Sequence, residues 1–163
     1  MPVVDPLSLF LADEAATLAC GHALAGCLKA PLVVRLDGDL GAGKTTLVRG
    51  LLRGLGHSGA VKSPTYTLVE SYPLPQHSLT VHHFDLYRFS HPDEWEDAGL
   101  DELFQPHSIC LIEWPQQGGA HVPAADMDIA LAHADHGRHL TLTTHSKHAQ
   151  ACLHNLDFSV WQK

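Results

Sequence analysis

Leu32-Val33-Val34-Arg35-Leu36-Asp37 is followed directly by Gly38-Asp39-Leu40-Gly41-Ala42-Gly43-Lys44-Thr45 and then by Thr46-Leu47-Val48-Arg49-Gly50-Leu51-Leu52. The middle segment fits G-x-x-x-x-G-K-[ST], the phosphate-binding loop pattern. The apolar run before it reads as a buried strand over 32–37. The run after it reads as a helix over 44–54, broken by Gly54, Gly56 and Gly59. Strand, loop and helix in that order are the context the motif requires. Gly41 and Gly43 let the backbone take angles other residues avoid and come close to a ligand. The nest of N–H groups formed by Leu40, Gly41, Ala42, Gly43, Lys44, Thr45 and Thr46, with the start of the helix, presents partial positive charge to phosphate. Lys44 adds a full charge for the β- and γ-phosphates, and Thr45 places a hydroxyl on Mg²⁺. The ligand expected is a triphosphate–metal complex.

Working outward, Asp13 to Leu28 reads as a first helix capped by Asp13, closed by Pro31. Val61 to Pro64 is a loop, because a residue before proline avoids helix. Thr65 to Tyr72 is β-branched and aromatic and reads as a strand, Pro73 to Ser78 as a turn, and Leu79 to Tyr87 as a second strand pairing with the first. Two short acidic helices are expected over 92–98 and 100–104. Ile109-Cys110-Leu111-Ile112-Glu113 is a buried strand ending in an acid. Met127–His133 and Leu140–Thr144 form a hairpin around Asp135-His136-Gly137-Arg138, and a helix over 146–155 follows. Mixed βα units and hairpins predict one domain over 1–163. Its fold class is a three-layer α/β P-loop NTPase with a mixed, mainly parallel sheet.

A phosphate loop needs a second acid to orient the metal, usually at the end of an apolar strand. Glu113 fits that position; the alternative is an exposed acid at a strand end. Asp85, within His83-Phe84-Asp85-Leu86-Tyr87-Arg88, is a candidate to orient the attacking water or reach the metal; the alternative is a salt bridge to Arg88. Trp114 either packs by the nucleotide or covers the core. Ser63 and Thr65 flank Pro64 in a segment able to close over a γ-phosphate. The predicted catalytic set is thus Lys44, Asp85 and Glu113, and the predicted metal set Thr45, Asp85 and Glu113.

Composition narrows the partners. The 163 residues are 45% hydrophobic with a formal net charge of −8. No basic patch stands out, so broad direct contact with DNA or RNA is not expected. No apolar run reaches the roughly 18 residues a membrane helix needs, and Met-Pro-Val-Val-Asp-Pro lacks the basic and apolar regions of a signal peptide. Cys20, Cys27, Cys110 and Cys152 form no C-x-x-C pair and read as reduced, space-filling thiols, so a cytoplasmic location is expected. The 14 histidines show no zinc spacing and read as surface residues.

The segments GDLGAGKTTLVRGLL (38–52), VKSPTYTLVESY (61–72), HFDLYR (83–88) and LIEWP (111–115), with the acidic stretch DEWEDAGLDELF (93–104), resemble the bacterial TsaE (YjeE) ATPases of tRNA threonylcarbamoyladenosine synthesis. The likeness runs from about residue 10 to 145. It implies a small P-loop ATPase using ATP/ADP and Mg²⁺, with Glu113 as second magnesium acid and Asp85 required for hydrolysis. It also implies a switch-like loop at Ser63–Thr65, Trp114 near the nucleotide, and Glu14 and Arg138 beside it. The implied partners are a TsaB–TsaD pair, TsaD carrying out carbamoyl transfer and ATP hydrolysis resetting the complex, with tRNA contacted only indirectly. A small-molecule P-loop kinase is the main rival, but it usually carries an Arg-rich lid, and no Arg cluster lies downstream. A GTPase would need Asn-Lys-x-Asp, and the single Asn, Asn155, has no Lys beside it. A nucleotide binder without turnover would have no use for the water-orienting acid.

Overall fold

The computed structural model describes residues 6–39, 41–154 and 156–162. Seven strands, β1 (Leu7–Leu11), β2 (Leu32–Asp37), β3 (Val69–Leu74), β4 (Leu79–Asp85), β5 (Ser108–Glu113), β6 (Met127–Ala134) and β7 (Gly137–Thr144), form one sheet in the order β1-β7-β6-β2-β5-β4-β3. β2, β4, β5 and β6 are mutually parallel where they pair; β1, β3 and β7 pair antiparallel at the flanks. The sheet is therefore a mixed α/β sheet whose described pairings divide evenly between the two senses, so it is not mainly parallel as expected.

Helices α1 (Glu14–Ala25) and α2 (Lys44–Gly54) lie on one face, and α3 (Glu94–Asp97) and a 3-10 turn at Leu100–Leu103 on the other. Alternation along β2 separates the two faces. Leu32, Val34 and Leu36 join Cys20, Leu24, Leu47 and Leu51 in the larger core, whereas Val33 packs with Phe84, Trp95, Cys110 and Ile112. The second core is aromatic, with Phe84 stacked on Trp95 and on Phe104 at centroid distances of 6.0 and 5.5 Å. Helix α1 starts where Asp13 Oδ1 accepts from Ala16 N at 2.8 Å, a cap that contributes about 1 kcal/mol. α1 and α2 approach so closely that a Cβ at Gly21 would strike the Leu47 carbonyl, and one at Gly50 the Leu18 carbonyl.

Several expected elements are corrected. β1, part of no predicted element, is held at the sheet edge by β7. Residues 65–68 are a turn rather than strand, because Leu68 adopts a left-handed φ of 73° and its N–H donates to the Pro64 carbonyl at 2.8 Å. Strand β3 instead runs through Pro73 to Leu74, and β4 stops at Asp85 rather than Tyr87. Pro73 is tolerated because β3 is an edge strand, where its missing N–H removes no ladder bond. The first helix ends at Ala25, and the last, α4, spans Lys147–Leu153 behind the N-cap Ser146. Histidines are not all at the surface: His83 is 0% and His82 7% exposed. All four cysteines are free and buried. Burial pushes the thiols of Cys20 and Cys110 up to about 12, so they are inert packing. No helix among the described residues is long and apolar enough to cross a membrane.

Candidate functional site

The parallel strands β2, β5 and β4 end level with one another, with Leu36 opposite Glu113 and Glu113 opposite Asp85. In open α/β sheets ligands collect at these carboxyl ends. The chain leaves β2 through Gly38, turns at Gly41 and Gly43, whose φ values are 79° and 104°, and enters α2. Gly43 is the N-cap of α2 and no side chain caps that end, unlike α1 and α4, which Asp13 and Ser146 cap. The first-turn N–H groups of α2 are thus not taken up by a side-chain cap, which is the arrangement an anion at a helix N-terminus requires.

Lys44, 7% exposed, crosses from α2 to the end of β5. Its Nζ donates to the Gly38 carbonyl at 2.5 Å and lies 3.2 Å from Glu113 Oε1. It also lies 5.2 Å from the centroid of Trp114. Trp114 has a left-handed φ of 58°, a conformation costing on the order of 1–2 kcal/mol for a residue with a Cβ. This turn, followed by Pro115, sends the chain out of β5, with the indole tilted against the Tyr87 ring at a centroid distance of 5.1 Å and close to Lys44.

Glu113 is 4% exposed. Its second oxygen, Oε2, accepts from His83 Nε2 at 2.5 Å. Burial pushes its pKa up, but the hydrogen bond from His83 and the charge of Lys44 outweigh that and hold the carboxyl below its ordinary value. Being ionised, it can only accept, which places the proton on His83 Nε2.

Each oxygen of Asp85 accepts one hydrogen bond, which leaves the carboxylate further acceptor capacity. Oδ2 accepts from the Thr65 hydroxyl at 3.0 Å and Oδ1 from the Tyr87 N–H at 2.9 Å. Thr65 in turn meets the Ser63 hydroxyl at 2.7 Å. The Ser63–Thr65 segment is thereby tied to the end of β4, beside Glu113. Arg88 does not pair with Asp85; its guanidinium lies 4.3 Å from the Tyr66 ring centroid instead. Thr45, the second residue of α2, is half-buried next to Lys44. Leu40 lies outside the described residues.

Arg138, at the start of β7, donates from Nε to the Ala42 carbonyl at 3.0 Å and from Nη2 to the Gly41 carbonyl at 3.1 Å. The guanidinium thus props the loop from the β6–β7 turn. Beside it a cavity of about 350 Å³ is lined by Glu14, Gly43, Thr46, Arg49, His136 and Arg138, a size in the range of small-molecule sites. Glu14 sits 3.9 Å from Arg49 there. The predicted residues therefore form two groups: Lys44, Thr45, Asp85, Glu113, Trp114, Ser63 and Thr65 at the strand ends, and Glu14, Gly41, Ala42, Gly43, Thr46 and Arg138 at and around the cavity. A second cavity of about 410 Å³, between β1, β7 and the C-terminal segment, holds none of them.

The donors around the loop are hydroxyl and carboxylate oxygens, the hard ligands that suit Mg²⁺. No three His, Cys, Asp or Glu side chains among the described residues are disposed to hold an ion alone. Mg²⁺ is ordinarily held by one or two carboxylates together with substrate phosphates, so the set fits that ion. Sequence reasoning missed His83, Arg49 and His136. For His83 the signal was its i, i+2 spacing to Asp85, which puts both on one face of β4.

A family model described as "Threonylcarbamoyl adenosine biosynthesis protein TsaE" matches residues 11–140. The tRNA threonylcarbamoyladenosine biosynthesis protein TsaE of Haemophilus influenzae is 43% identical over 144 residues, 85% of this chain and 90% of that protein. The protein of the same description from Bacillus subtilis is 41% identical over 112 residues, 68% of each. The crystal structure of Bacillus subtilis YdiB matches with a TM-score of 0.78 and 28% identity, covering 94% of this chain and 95% of that one. The chain belongs to the TsaE family of threonylcarbamoyladenosine biosynthesis proteins.

Proposed function

We propose that this protein is an ATP-binding, Mg²⁺-dependent ATPase, a three-layer P-loop NTPase domain working in the cytoplasm. Its hydrolysis drives a TsaB–TsaD complex through its cycle in forming N6-threonylcarbamoyladenosine on tRNA. The observation that carries this reading is the uncapped start of α2 with the buried Lys44 held between the Gly38 carbonyl and the ionised Glu113. A phosphate arriving at that helix end replaces both partners of Lys44 with a stronger one, since its charge then faces anionic oxygens directly. Glu113 Oε1, released by Lys44, is left facing the loop together with the Thr45 hydroxyl. Thr45 and Glu113 would hold Mg²⁺ there, and the ion would supply positive charge to the phosphates.

Asp85 stands one strand over, and its ties to Thr65 and to the Tyr87 N–H fix its carboxylate at the mouth of the site. That fixed acceptor orients a water toward the γ-phosphate, while the Ser63–Thr65 segment closes over it. Arg138 keeps the loop in shape, and the cavity beside Glu14 and Arg49 takes the nucleoside. The tRNA role rests on membership of the family, and the partner pair on the resemblance of the sequence motifs; the acidic chain is suited to indirect rather than direct contact with RNA.

Phosphate release from ATP and from GTP, with and without Mg²⁺ and the TsaB–TsaD pair, tests the proposal. Turnover of ATP that needs Mg²⁺, is slow alone and rises with the pair is expected. Transfer of phosphate to a small acceptor in place of water would instead establish a kinase.

A further inference from the structure

We propose that His83 is a positioning residue for Glu113. Its Nε2–H pins one carboxylate oxygen so that the other is presented to the phosphate loop and the metal held there. This rests on the Mg²⁺-nucleotide reading above.

Four observations carry it. His83 is 0% exposed and sits on β4 two residues before Asp85, so both side chains point to the α2 face of the sheet. Its Nε2 meets Glu113 Oε2 at 2.5 Å, while Oε1 of the same carboxylate faces Lys44 at 3.2 Å. The other ring nitrogen, Nδ1, is buried without a hydrogen-bond partner among the described residues. An imidazole placed only to fill space would be better replaced by an apolar side chain, because the orphan nitrogen carries a desolvation penalty. The bond to Glu113 is what offsets it. Finally, Glu113 is 4% exposed, so water does not substitute for a lost donor. With Oε2 pinned, the carboxylate keeps its orientation when Lys44 transfers to the phosphates. Without the pin, it is free to rotate away from the metal. Outer hydrogen bonds of this kind typically change metal affinity about 10–100-fold.

The test uses three substitutions. His83→Gln places an amide N–H near the position of Nε2. His83→Leu removes the donor at similar bulk. His83→Asn keeps polarity, but its shorter amide reaches only the Nδ1 position. ADP binding is measured by calorimetry with and without Mg²⁺, with thermal melting as the control for folding. Wild type and His83→Gln should show the same Mg²⁺-dependent gain in affinity. His83→Leu and His83→Asn should lose about tenfold of that gain, with metal-free ADP affinity kept within about twofold. Should Leu fail to fold, Asn against Gln decides the matter. A wild-type Mg²⁺ gain in folded Leu or Asn variants overturns the proposal, as does an equal loss in His83→Gln or a wild type with no Mg²⁺ gain. A wild type that binds Mg²⁺–ADP yet releases no phosphate from ATP refutes hydrolysis and leaves the positioning role standing.

Discussion

Two carboxylates in adjoining regions of this sheet have nearly the same neighbours and opposite fates. Glu113, ending β5, lies between Lys44 and His83. Asp128, on β6, lies between Arg35, at 2.6 and 2.9 Å, and His145, at 2.8 Å. Burial raises both pKa values, and the cation and histidine partners more than reverse it. The difference is in access and in the cation. The Asp128 side chain is 25% exposed and held by a bidentate guanidinium, a fixed fork that joins β2 to β6. The Glu113 side chain is 6% exposed and held by an ammonium, a compact charge on a flexible stem that can change partners. The first is a clasp between strands. The second, in the function proposed above, is a pair whose cation is released to a ligand.

That contrast can be broken by substitution. Lys44→Ala should have the largest effect on binding, weakening ATP affinity about 100-fold or more by removing the full charge on the phosphates. Unchanged affinity in an equilibrium binding assay would refute the loop itself. Asp85→Asn should lower turnover about 100-fold with ATP binding nearly intact, the pattern of a group needed only in the transition state. A raised KM with unchanged kcat would instead make it a ligand contact. Arg138→Ala, which frees the Gly41 and Ala42 carbonyls, should weaken nucleotide binding about tenfold, or about 1.4 kcal/mol.

The smallest effect belongs to the Asp128 clasp. Its folded pKa lies below the ordinary 3.8, so its stabilisation is present above about pH 4. It is lost as pH falls through the lowered folded value. Asp128→Asn should reduce Tm at neutral pH by about 2–4 °C, the scale of a partly exposed pair. The gap between variant and wild type should close below pH 4 in melts run across that range. A gap that persists in acid would show that the ion pair is not its source.

The same contrast explains what was legible in the sequence. Lys44, Thr45 and the strand–loop–helix around them are contiguous, so spacing alone places them. Glu113 is legible because an apolar strand ending in an acid is a local pattern, and Asp13 because a capping side chain acts within three residues. β1 was missed although Leu7, Leu9 and Leu11 alternate, because its pairing lies with β7 at the far end of the chain. Thr65 to Leu68 looked like strand by composition. Side-chain bonds from Thr65 to Asp85 and Thr67 to Glu70 override that propensity. The cavity beside Glu14 and Arg138 was not readable from spacing at all, since the loop, α1 and the β6–β7 turn meet only in the fold. The Asp128 clasp was likewise not readable, since Arg35, Asp128 and His145 meet only when β2, β6 and the end of β7 are assembled.

Phosphate release from ATP with Mg²⁺ and the partner pair, measured side by side for wild type, Glu113→Gln and Asp128→Asn, tests the account most directly. Glu113→Gln should lose turnover on the order of 100-fold, and Asp128→Asn should stay within about twofold. Turnover by Glu113→Gln equal to wild type would contradict the assignment of the site.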